Sequence, residues 1–186
     1  MAVTEDELRA ITVGELRPLA GKIEIADYDP AWPAAFAHQA ARIRAALGDG
    51  VVLLEHVGST SVPGLAAKPR LDLLLVVASS ADEPAYVPAL EAAGYMLHLR
   101  EPAWHEHRLF KHPDTDLNLH VFSPGCPEIE RMLRFRDWLR HDPADRALYE
   151  RTKRELARRD WKYGQEYADA KTQVVEQILA RALAAG

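Results

Sequence analysis

Two apolar runs in the first half of the chain predict the centre of a β-sheet. Val51–Val57 and Leu71–Val77 carry few polar residues, as strands that are covered on both faces do. The segment between them, Gly58–Pro69, predicts a loop with one helical turn near Val62–Ala66. Alternation of apolar and polar positions predicts three further strands, at Tyr95–Leu99, Glu106–Lys111 and Leu117–Phe122.

Helical patterns surround these strands. A capping-box pattern at Thr4 and Glu7 predicts a helix to about Leu19, and residues 22–26 alternate as a strand does. Residues 29–47 predict a helix with an apolar stripe at Trp32, Phe36, Ile43 and Leu47. Further helices are predicted at Asp82–Ala93, Glu128–Arg140, Ala144–Asp160 and Gln165–Ala184. This order predicts the α+β class, in which a mixed sheet is followed by a helical part.

Composition limits the classes of protein and partner. With 186 residues, a net charge of −5 and a pI near 5.9, the chain predicts one domain that is not a dedicated nucleic-acid binder. Residues 131–171 nevertheless hold 12 Lys and Arg against 8 Asp and Glu, which suits an anionic small molecule or simply a solvated helix surface. The single Cys126 excludes an intrachain disulfide. No signal core or membrane-length apolar run is seen, so we expect a cytoplasmic protein without membrane partners.

The small-residue loop and the strand that follows it carry the first candidate chemistry. Glycine at position 58 permits close approach of a ligand, and Ser59 and Thr60 offer hydroxyl and backbone donors to phosphate oxygens. The alternative is an ordinary strand-to-helix turn. Asp72, inside an apolar strand, predicts a metal ligand, unless it pairs with Lys68 or Arg70. Leu74 stands where an Asp-x-Asp pair would place a second carboxylate, which argues against a two-metal site.

Polar residues on later strands offer further candidates. Asp116, Asn118 and His120 share one strand face, and either Asp116 or His120 is suited to act as a base, with His120 also a candidate metal ligand. A solvent-exposed strand face explains the same pattern. His105 and His107 lie in a predicted strand and, together with His120 or the carboxylate of residue 72, suggest a transition-metal site as a separate alternative.

The C-terminal helices carry a pattern of lysines and tyrosines. Tyr149 and Lys153 are one turn apart, and Tyr163, Tyr167 and Lys171 recur at four-residue spacing on one face. Such a face would clamp a phosphate with positive charge and a phenol. The competing interpretation is an amphipathic surface with extended lysines.

Taken together, these motifs resemble the GrpB family, a branch of the nucleotidyltransferase superfamily that is also found fused to dephospho-CoA kinases. The similarity spans most of the chain after about residue 20. It is carried by residues 27–33, 56–69, Asp72, 119–121, 135–140, Pro143, Tyr149, 153–156, Tyr167 and Lys171.

The resemblance implies a nucleotidyltransferase-like mixed sheet packed by helices, with a C-terminal helical part closing a cleft. Residues 1–20 lie outside the shared region, and their capping-box pattern predicts an N-terminal helical extension. The GrpB-like domain is expected over 21–186, with the sheet in about 21–123 and the helical part in about 127–184. The resemblance also implies a ligand region made by Ser59, Thr60, Lys68, Asp72, His120, Lys153, Tyr167 and Lys171.

Two hypotheses of function follow. The first is a metal-dependent nucleotidyltransferase that uses Mg²⁺ and a nucleoside triphosphate, with the phosphate-binding residues Gly58, Ser59, Thr60, Lys68, Lys153, Tyr167 and Lys171. The second is a regulatory module that binds a nucleotide or another phosphorylated metabolite without turnover, which the missing carboxylate at Leu74 favours. The sequence indicates neither the nucleotide, the acceptor nor the oligomeric state.

Overall fold

The computed structural model of the chain, which describes residues 4–185, contains one five-stranded mixed sheet. The spatial order is β1-β2-β5-β4-β3, with β2 and β5 parallel and the other neighbours antiparallel. The strands are β1 (Leu53–Val57), β2 (Leu71–Val76), β3 (Met96–Glu101), β4 (His107–Lys111) and β5 (Leu117–Phe122). The predicted α+β class with an interior β2 is confirmed.

Seven α-helices accompany the sheet within residues 4–185. They are α1 (Glu5–Ile11), α2 (Trp32–Leu47), α3 (Val87–Ala92), α4 (Pro127–His141), α5 (Pro143–Ala157), α6 (Gly164–Ala170) and α7 (Thr172–Ala184). The last four form the C-terminal helical part. Across the described part of the chain, no helix combines the length and the apolar character that crossing a bilayer requires.

The main core lies between one face of the sheet and helices α2 and α3. Alternate residues of β2 and β5 point to this face, as strand geometry requires. The predicted stripe of α2 contributes Trp32 and Ile43 to it, with Phe36 and Leu47 packed at its edge. Their burial explains why residues 32–47 hold a helix against the sheet, because a helix gains most of its stability from packing its apolar face.

The opposite face of the sheet is divided between an apolar half and a polar half. Leu74 and Phe122 form a cluster with Val57 under the apolar side of α4, to which Ile129, Met132 and Leu133 also belong. Earlier along the two strands, the same face carries Asp72 on β2 and its β5 partner Asn118, followed on β5 by His120. The polar half therefore remains open to a ligand, while the apolar half holds the helical part on the sheet.

Packing within the helical part fixes its position over the sheet. Val62 and Leu65 from the loop join a buried cluster with Leu139, Tyr149, Val174 and Ile178 of α4, α5 and α7. The buried Asp145 carboxylate accepts hydrogen bonds from Trp138 at 2.7 Å and from Arg181 at 2.6 Å, which ties α5 to α4 and α7. The loop and the helices are thus one packed unit.

Two predictions for the N-terminal part are wrong: the first helix is shorter than predicted, and the strand over residues 22–26 does not form. The capping box at Thr4 is present, but α1 ends at Ile11 because Thr12 turns to pair with Leu99 at the sheet edge. Residues 22–26 do not form a strand, and only Ala26 makes a bridge, to Ala67. Ile23 packs instead in a small cluster with helices α5 and α6, so tertiary contacts override its strand-like pattern.

Three helix predictions also need correction. The helical turn in the loop lies at Ser59–Ser61 rather than at 62–66, because the side chains of Val62 and Leu65 are drawn into the buried cluster of α4, α5 and α7. The helix predicted over 82–93 is split into a turn at Glu83–Ala85 and α3, each with a proline in its first turn. The helix predicted over 165–184 breaks at Lys171, where the chain passes from one apolar cluster to another.

Candidate functional site

The site begins where the loop after β1 crosses the start of β2. Gly58 has a φ of +69°, and a Cβ atom placed on it would lie 2.4 Å from Oδ2 of Asp72. Glycine is therefore required here both by backbone conformation and by space. This contact brings the backbone that carries Ser59 directly against the carboxylate of Asp72.

Asp72 is held by polar partners on the neighbouring strands. Asn118 donates to Asp72 Oδ1 at 2.7 Å, and the side chain of Lys111 donates in turn to the Asn118 amide oxygen. His120 Nε2 lies 3.7 Å from the same Oδ1. Burial opposes ionisation of this carboxyl, but His120 and Asn118 outweigh it and lower the pKa of Asp72 below its ordinary value. Asp72 is therefore an oriented anion at neutral pH.

Two lysines of the helical part lie near this carboxylate. Lys153 of α5 is only 2% exposed and donates to Ser59 Oγ at 3.0 Å and to the carbonyl of Ala66. Burial lowers the pKa of Lys153 to about 7, and repulsion by Lys171 adds to the effect. Burial also lowers the pKa of Lys171, which Asp72 opposes. The positive charges of Lys153 and Lys171 thus lie close together in a region with little access to solvent.

Three more cations, Lys68, Arg70 and Lys111, act on the same region from the sheet and the loop before it. Burial lowers the pKa of Lys111 to about 8, with a further contribution from Arg70. Burial and Arg70 likewise lower the pKa of Lys68. We refer to Lys68, Arg70, Lys111, Lys153 and Lys171 as the cation cluster. Within residues 4–185, the carboxylates that act on these five cations are Asp72, Asp116 and Glu150, so the region has an excess of positive charge.

Two tyrosines lie beneath the lysines of the helical part. The ammonium of Lys153 is 4.8 Å from the ring centre of Tyr149, and that of Lys171 is 4.5 Å from the ring centre of Tyr167. Burial raises the pKa of both tyrosines, that of Tyr149 to about 12. The Tyr167 hydroxyl is buried and finds no hydrogen-bond partner among residues 4–185. An unsatisfied buried donor is rare in proteins and suggests an absent acceptor. Tyr163, by contrast, lies before α6 and contacts Lys162 instead.

Thr60 supports the loop from its other side. It is 1% exposed, and its hydroxyl lies 3.0 Å from His56 Nε2. The His56 ring stacks on Phe36 at a centroid distance of 4.8 Å, and burial lowers the pKa of His56 to about 4. Thr60 therefore belongs to the wall that holds the loop rather than to the surface that faces Asp72.

Asp116 is placed at the mouth of the site. Its carboxylate is 48% exposed and accepts a hydrogen bond from Arg70 Nε at 2.5 Å. The pairing of Asp72 with Lys68 or Arg70, considered from sequence, is not what the structure contains, because Arg70 is engaged by Asp116. Asp116 thus lies at the site without joining the group that holds Asp72.

The histidine-based metal site expected as an alternative is not assembled. Strand β4 begins at His107, and His105 lies in the preceding turn with a φ of +55°. The two rings therefore do not project from one strand face. Among residues 4–185, no three His, Cys, Asp or Glu side chains converge as metal ligands. His107 and His120 are nevertheless in contact, with His107 Nε2 at 3.1 Å from His120 Nδ1.

The sequence motifs do not point to Lys111 or Glu101, and they point to Arg70 only as a possible partner of Asp72. Lys111 ends β4 on the same face as His107, and only Leu109 and Phe110 of the five strand residues are apolar, so no sequence pattern marks this lysine as part of a site. Glu101 pairs with His107 across β3 and β4, a relation that depends on strand register. No pattern in the sequence fixes that register.

A separate cleft of about 520 Å³ lies on the α2 side of the loop. Its arginines have structural partners: Arg140 donates to the carbonyl of Ser61 at 2.9 Å, and Arg146 donates to the carbonyl of Leu139 at 3.3 Å. These bonds brace the loop and the end of α4. The candidate site therefore remains the region around Asp72.

Comparison with known proteins can now be set beside this geometry. The family model described as GrpB protein matches residues 22–181. The chain belongs to the GrpB family. A UPF0157 protein of Halalkalibacterium halodurans is 58% identical over 179 residues, covering 96% of this chain and 92% of the relative. A UPF0157 protein of Streptomyces coelicolor is 46% identical, covering 90% and 88%.

Solved structures agree with the assignment to the GrpB family. The crystal structure of GrpB from Enterococcus faecalis has a TM-score of 0.73 at 30% identity, covering 86% of this chain and 97% of that one. Cid1, an RNA terminal uridylyl transferase, has a TM-score of 0.50 at 16% identity, covering 73% and 44%. The second likeness shows that this GrpB chain has a fold of the nucleotidyltransferase type, and no more than that.

Proposed function

We propose that this GrpB-family protein binds a nucleoside triphosphate together with a divalent metal ion and transfers the nucleotidyl group to a small acceptor. The observation that carries the proposal is the cation cluster beside Ser59 and Asp72. Buried lysines with lowered pKa values repel one another, and a polyanion relieves that repulsion. A triphosphate has the charge and the length to contact several of them.

The phosphate-binding roles follow from position. Gly58 brings the loop backbone close, and Ser59 presents a hydroxyl beside Lys153. Lys171 supplies charge from the start of α7, and the Tyr167 hydroxyl offers a donor that has no acceptor among residues 4–185. Lys68 and Lys111 add charge from the sheet side. Thr60 contributes indirectly, by holding the loop through His56.

The residues around Asp72 fit a divalent cation that retains waters. Asp72 Oδ2 accepts no hydrogen bond within residues 4–185, and His120 Nε2 faces the other oxygen. A single carboxylate and a nearby imidazole, with waters and phosphate oxygens, satisfy such an ion. The bound ion would supply charge stabilisation at the phosphate oxygens.

The transfer itself needs a base. The acceptor hydroxyl gives up its proton as its oxygen bonds to the α-phosphorus, and the bond from that phosphorus to the pyrophosphate oxygen breaks. Asp116 at the mouth of the site is one candidate for the proton, and His120 is the other. Asp116 is the candidate that remains open when His120 ligates the metal.

A second candidate function, binding without transfer, is favoured by Leu74. This residue is fully buried under α4, at the position where a paired carboxylate would lie. A dephospho-CoA kinase of Mycolicibacterium paratuberculosis is 32% identical over 70% of this chain, and the match accounts for 39% of the kinase. A GrpB-like segment inside an enzyme of nucleotide chemistry supports a nucleotide-related role in either case.

The decisive experiment separates binding from turnover. ATP, GTP, CTP and UTP are titrated calorimetrically into the chain with Mg²⁺ or Mn²⁺, and pyrophosphate release is followed in a metabolite extract. We expect Lys153→Met to weaken nucleotide binding at least tenfold, while Lys22→Met, an exposed lysine paired with Asp160, leaves it unchanged. Pyrophosphate release that Asp72→Asn abolishes supports transfer. Binding without release supports the regulatory module, and no binding of any nucleotide contradicts both.

A further inference from the structure

The separate cleft lies at the end of β1, between the start of α2 and the junction of α4 with α5. Its volume of about 520 Å³ is typical of sites that bind small molecules. His56 lines it and pairs with Leu73 across β1 and β2, so its side chain lies on the core face of the sheet, whereas Asp72 lies on the other face. The cleft is therefore distinct from the cation cluster, although the loop after β1 borders both.

One side of the cleft is aromatic, and packing holds its rings in place. The Phe36 ring stacks on the His56 ring, with centroids 4.8 Å apart and planes 8° from parallel. The Tyr28 ring meets Trp32 edge-on at a centroid distance of 5.4 Å, and Trp32 is buried in the main core. Because these rings are already ordered, packing a flat ligand group against them costs little conformational entropy.

The other side of the cleft is basic. Arg140, His141 and Arg146 line it, and within residues 4–185 no Asp or Glu side chain does. Arg140 uses Nε and Nη2 to hold the carbonyl of Ser61, at 3.1 and 2.9 Å. Arg146 directs only Nη1 to the protein, where the carbonyls of Leu139 and Arg140 accept at 3.3 and 3.4 Å. Bracing therefore leaves Nε and Nη2 of Arg146 without an acceptor in the described part of the chain.

The ion pairs near the cleft also leave Arg146 uncompensated. Arg136 pairs with Glu55 and with Asp137, both at 2.7 Å, and Arg140 shares Asp137 at 3.4 Å. Across residues 4–185, no carboxylate forms an ion pair with Arg146, whose printed partners are two carbonyls. Burial and repulsion by Arg136 lower the pKa of Arg140, as expected where positive charge is in excess. Nε and Nη2 form one edge of a guanidinium, the edge that binds a carboxylate or a phosphate through two parallel hydrogen bonds.

We propose that this cleft is a second ligand site that binds a small anion built on a planar ring, with the anionic group on Nε and Nη2 of Arg146 and the ring against Phe36 and Tyr28. The anionic group is a carboxylate or a phosphate, because both match the guanidinium edge. The inference goes beyond the proposed function and does not depend on it, since this binding needs neither nucleotide nor metal.

Calorimetry with phenyl phosphate and with benzoate, without nucleotide or metal, tests the site and shows which anion it prefers. We expect at least one of these probes to bind with a Kd below about 1 mM. Inorganic phosphate and phenol, which carry the anion alone or the ring alone, should bind at least tenfold more weakly. Arg146→Met should weaken binding of the probe at least tenfold. Arg151→Met, which removes the same charge from an exposed position of the same helix, should leave it unchanged.

Nuclear magnetic resonance locates the probe in the wild-type protein, independently of how the variants fold. We expect NOE cross-peaks between the ring protons of the bound probe and the rings of Phe36 and Tyr28, and an unchanged affinity in Lys153→Met. Binding that Lys153→Met weakens and Arg146→Met does not would assign the probe to the cation cluster and overturn the inference. Failure of both probes to bind, or equally tight binding of inorganic phosphate, also overturns it. None of these results decides whether the Asp72 region binds a nucleotide, so the two proposals fail separately.

Discussion

At the scale of single residues, the contact between Gly58 and Asp72 organises the site. The loop comes so close to the carboxylate that no side chain fits at position 58. The same contact places Ser59 beside Lys153, so that a donor, a cation and a carboxylate from three parts of the chain meet. The arrangement is possible only because glycine has no Cβ atom at position 58.

Replacing Gly58 by alanine should therefore damage the site. The new Cβ would lie 2.4 Å from Asp72 Oδ2, and the φ of +69° adds backbone strain. We expect a loss of about 2–4 kcal/mol in the free energy of unfolding and at least tenfold weaker nucleotide binding. Urea denaturation and calorimetry measure the two effects.

Gly64 provides the matched control for this substitution. It has a similar φ of +77°, but nothing lies within 4 Å of a Cβ placed on it. Gly64→Ala should carry only the backbone strain, about 1 kcal/mol, and should leave nucleotide binding intact. Equal effects of the two variants would show that the contact with Asp72 is unimportant.

At the scale of elements, β2 serves two purposes on one face. Its first residues lie in the open polar half with Asp72, and two positions later Leu74 lies under α4. The boundary between the open cleft and the buried core therefore lies between residues 72 and 74, the two positions that an Asp-x-Asp pair would occupy. This explains the absent second carboxylate as a consequence of how closely α4 approaches the sheet.

Leu74→Asp should accordingly fail to create a second metal ligand. A carboxylate placed under α4 among Phe122, Met132 and Leu133 has no polar partner, so we expect more than about 4 kcal/mol of destabilisation and loss of folded protein. Leu74→Met, which conserves volume, should cost under about 1.5 kcal/mol. A stable Leu74→Asp protein with raised Mg²⁺ affinity would refute this account of the boundary.

Local patterns in the sequence predict the sheet strands well and the helical part less well. The five strands of the sheet carry local signals, an apolar run in β1 and β2 and alternation in the others, although the same alternation at residues 22–26 forms no strand. The break at Lys171 and the bridge at Ala26 depend on which distant cluster each segment joins, as Ile23 does with α5 and α6. The contact of Glu101 with His107 likewise needs the register of two strands, which no short pattern encodes.

At the scale of the whole molecule, the helical part must be locked over the sheet for Lys153 and Lys171 to face Asp72. Asp145 links three helices through Trp138 and Arg181. Its partner Arg181 is 46% exposed, so solvent weakens the ion pair. We expect Asp145→Asn to lower the free energy of unfolding by about 1–2 kcal/mol at pH 7, measured by urea denaturation. Glu15→Gln, at a largely exposed ion pair with Arg17, should change it very little.

The pH dependence of that cost has a definite sign. Arg181 holds the pKa of Asp145 below its ordinary value of 3.8, so its stabilisation is present above that value and is lost as the pH falls further. The difference between wild type and Asp145→Asn should therefore narrow below about pH 4. A difference that stays constant down to pH 2 would mean that the carboxylate charge plays no part.

The cation cluster couples ligand binding to protons throughout the neutral range. The pKa of Lys153 is about 7 and that of Lys111 about 8, whereas an ordinary lysine in the unfolded chain titrates near 10.5. Above pH 7 the unfolded chain thus binds more protons, and the stability of the free protein rises with pH. A bound polyanion favours the protonated form of these lysines. The affinity for the polyanion should therefore fall as the pH rises.

We therefore expect ATP to bind most tightly near pH 7. Between pH 7.5 and 9, each proton that the protein takes up on binding should lower the affinity by up to about tenfold per pH unit. The terminal phosphate is deprotonated over this range, so the change belongs to the protein. Calorimetry at pH 8 in buffers of different ionisation heat should report net proton uptake in wild type and less in Lys153→Met. Proton release, or uptake that is unchanged in Lys153→Met, would contradict a ligand bound at these lysines.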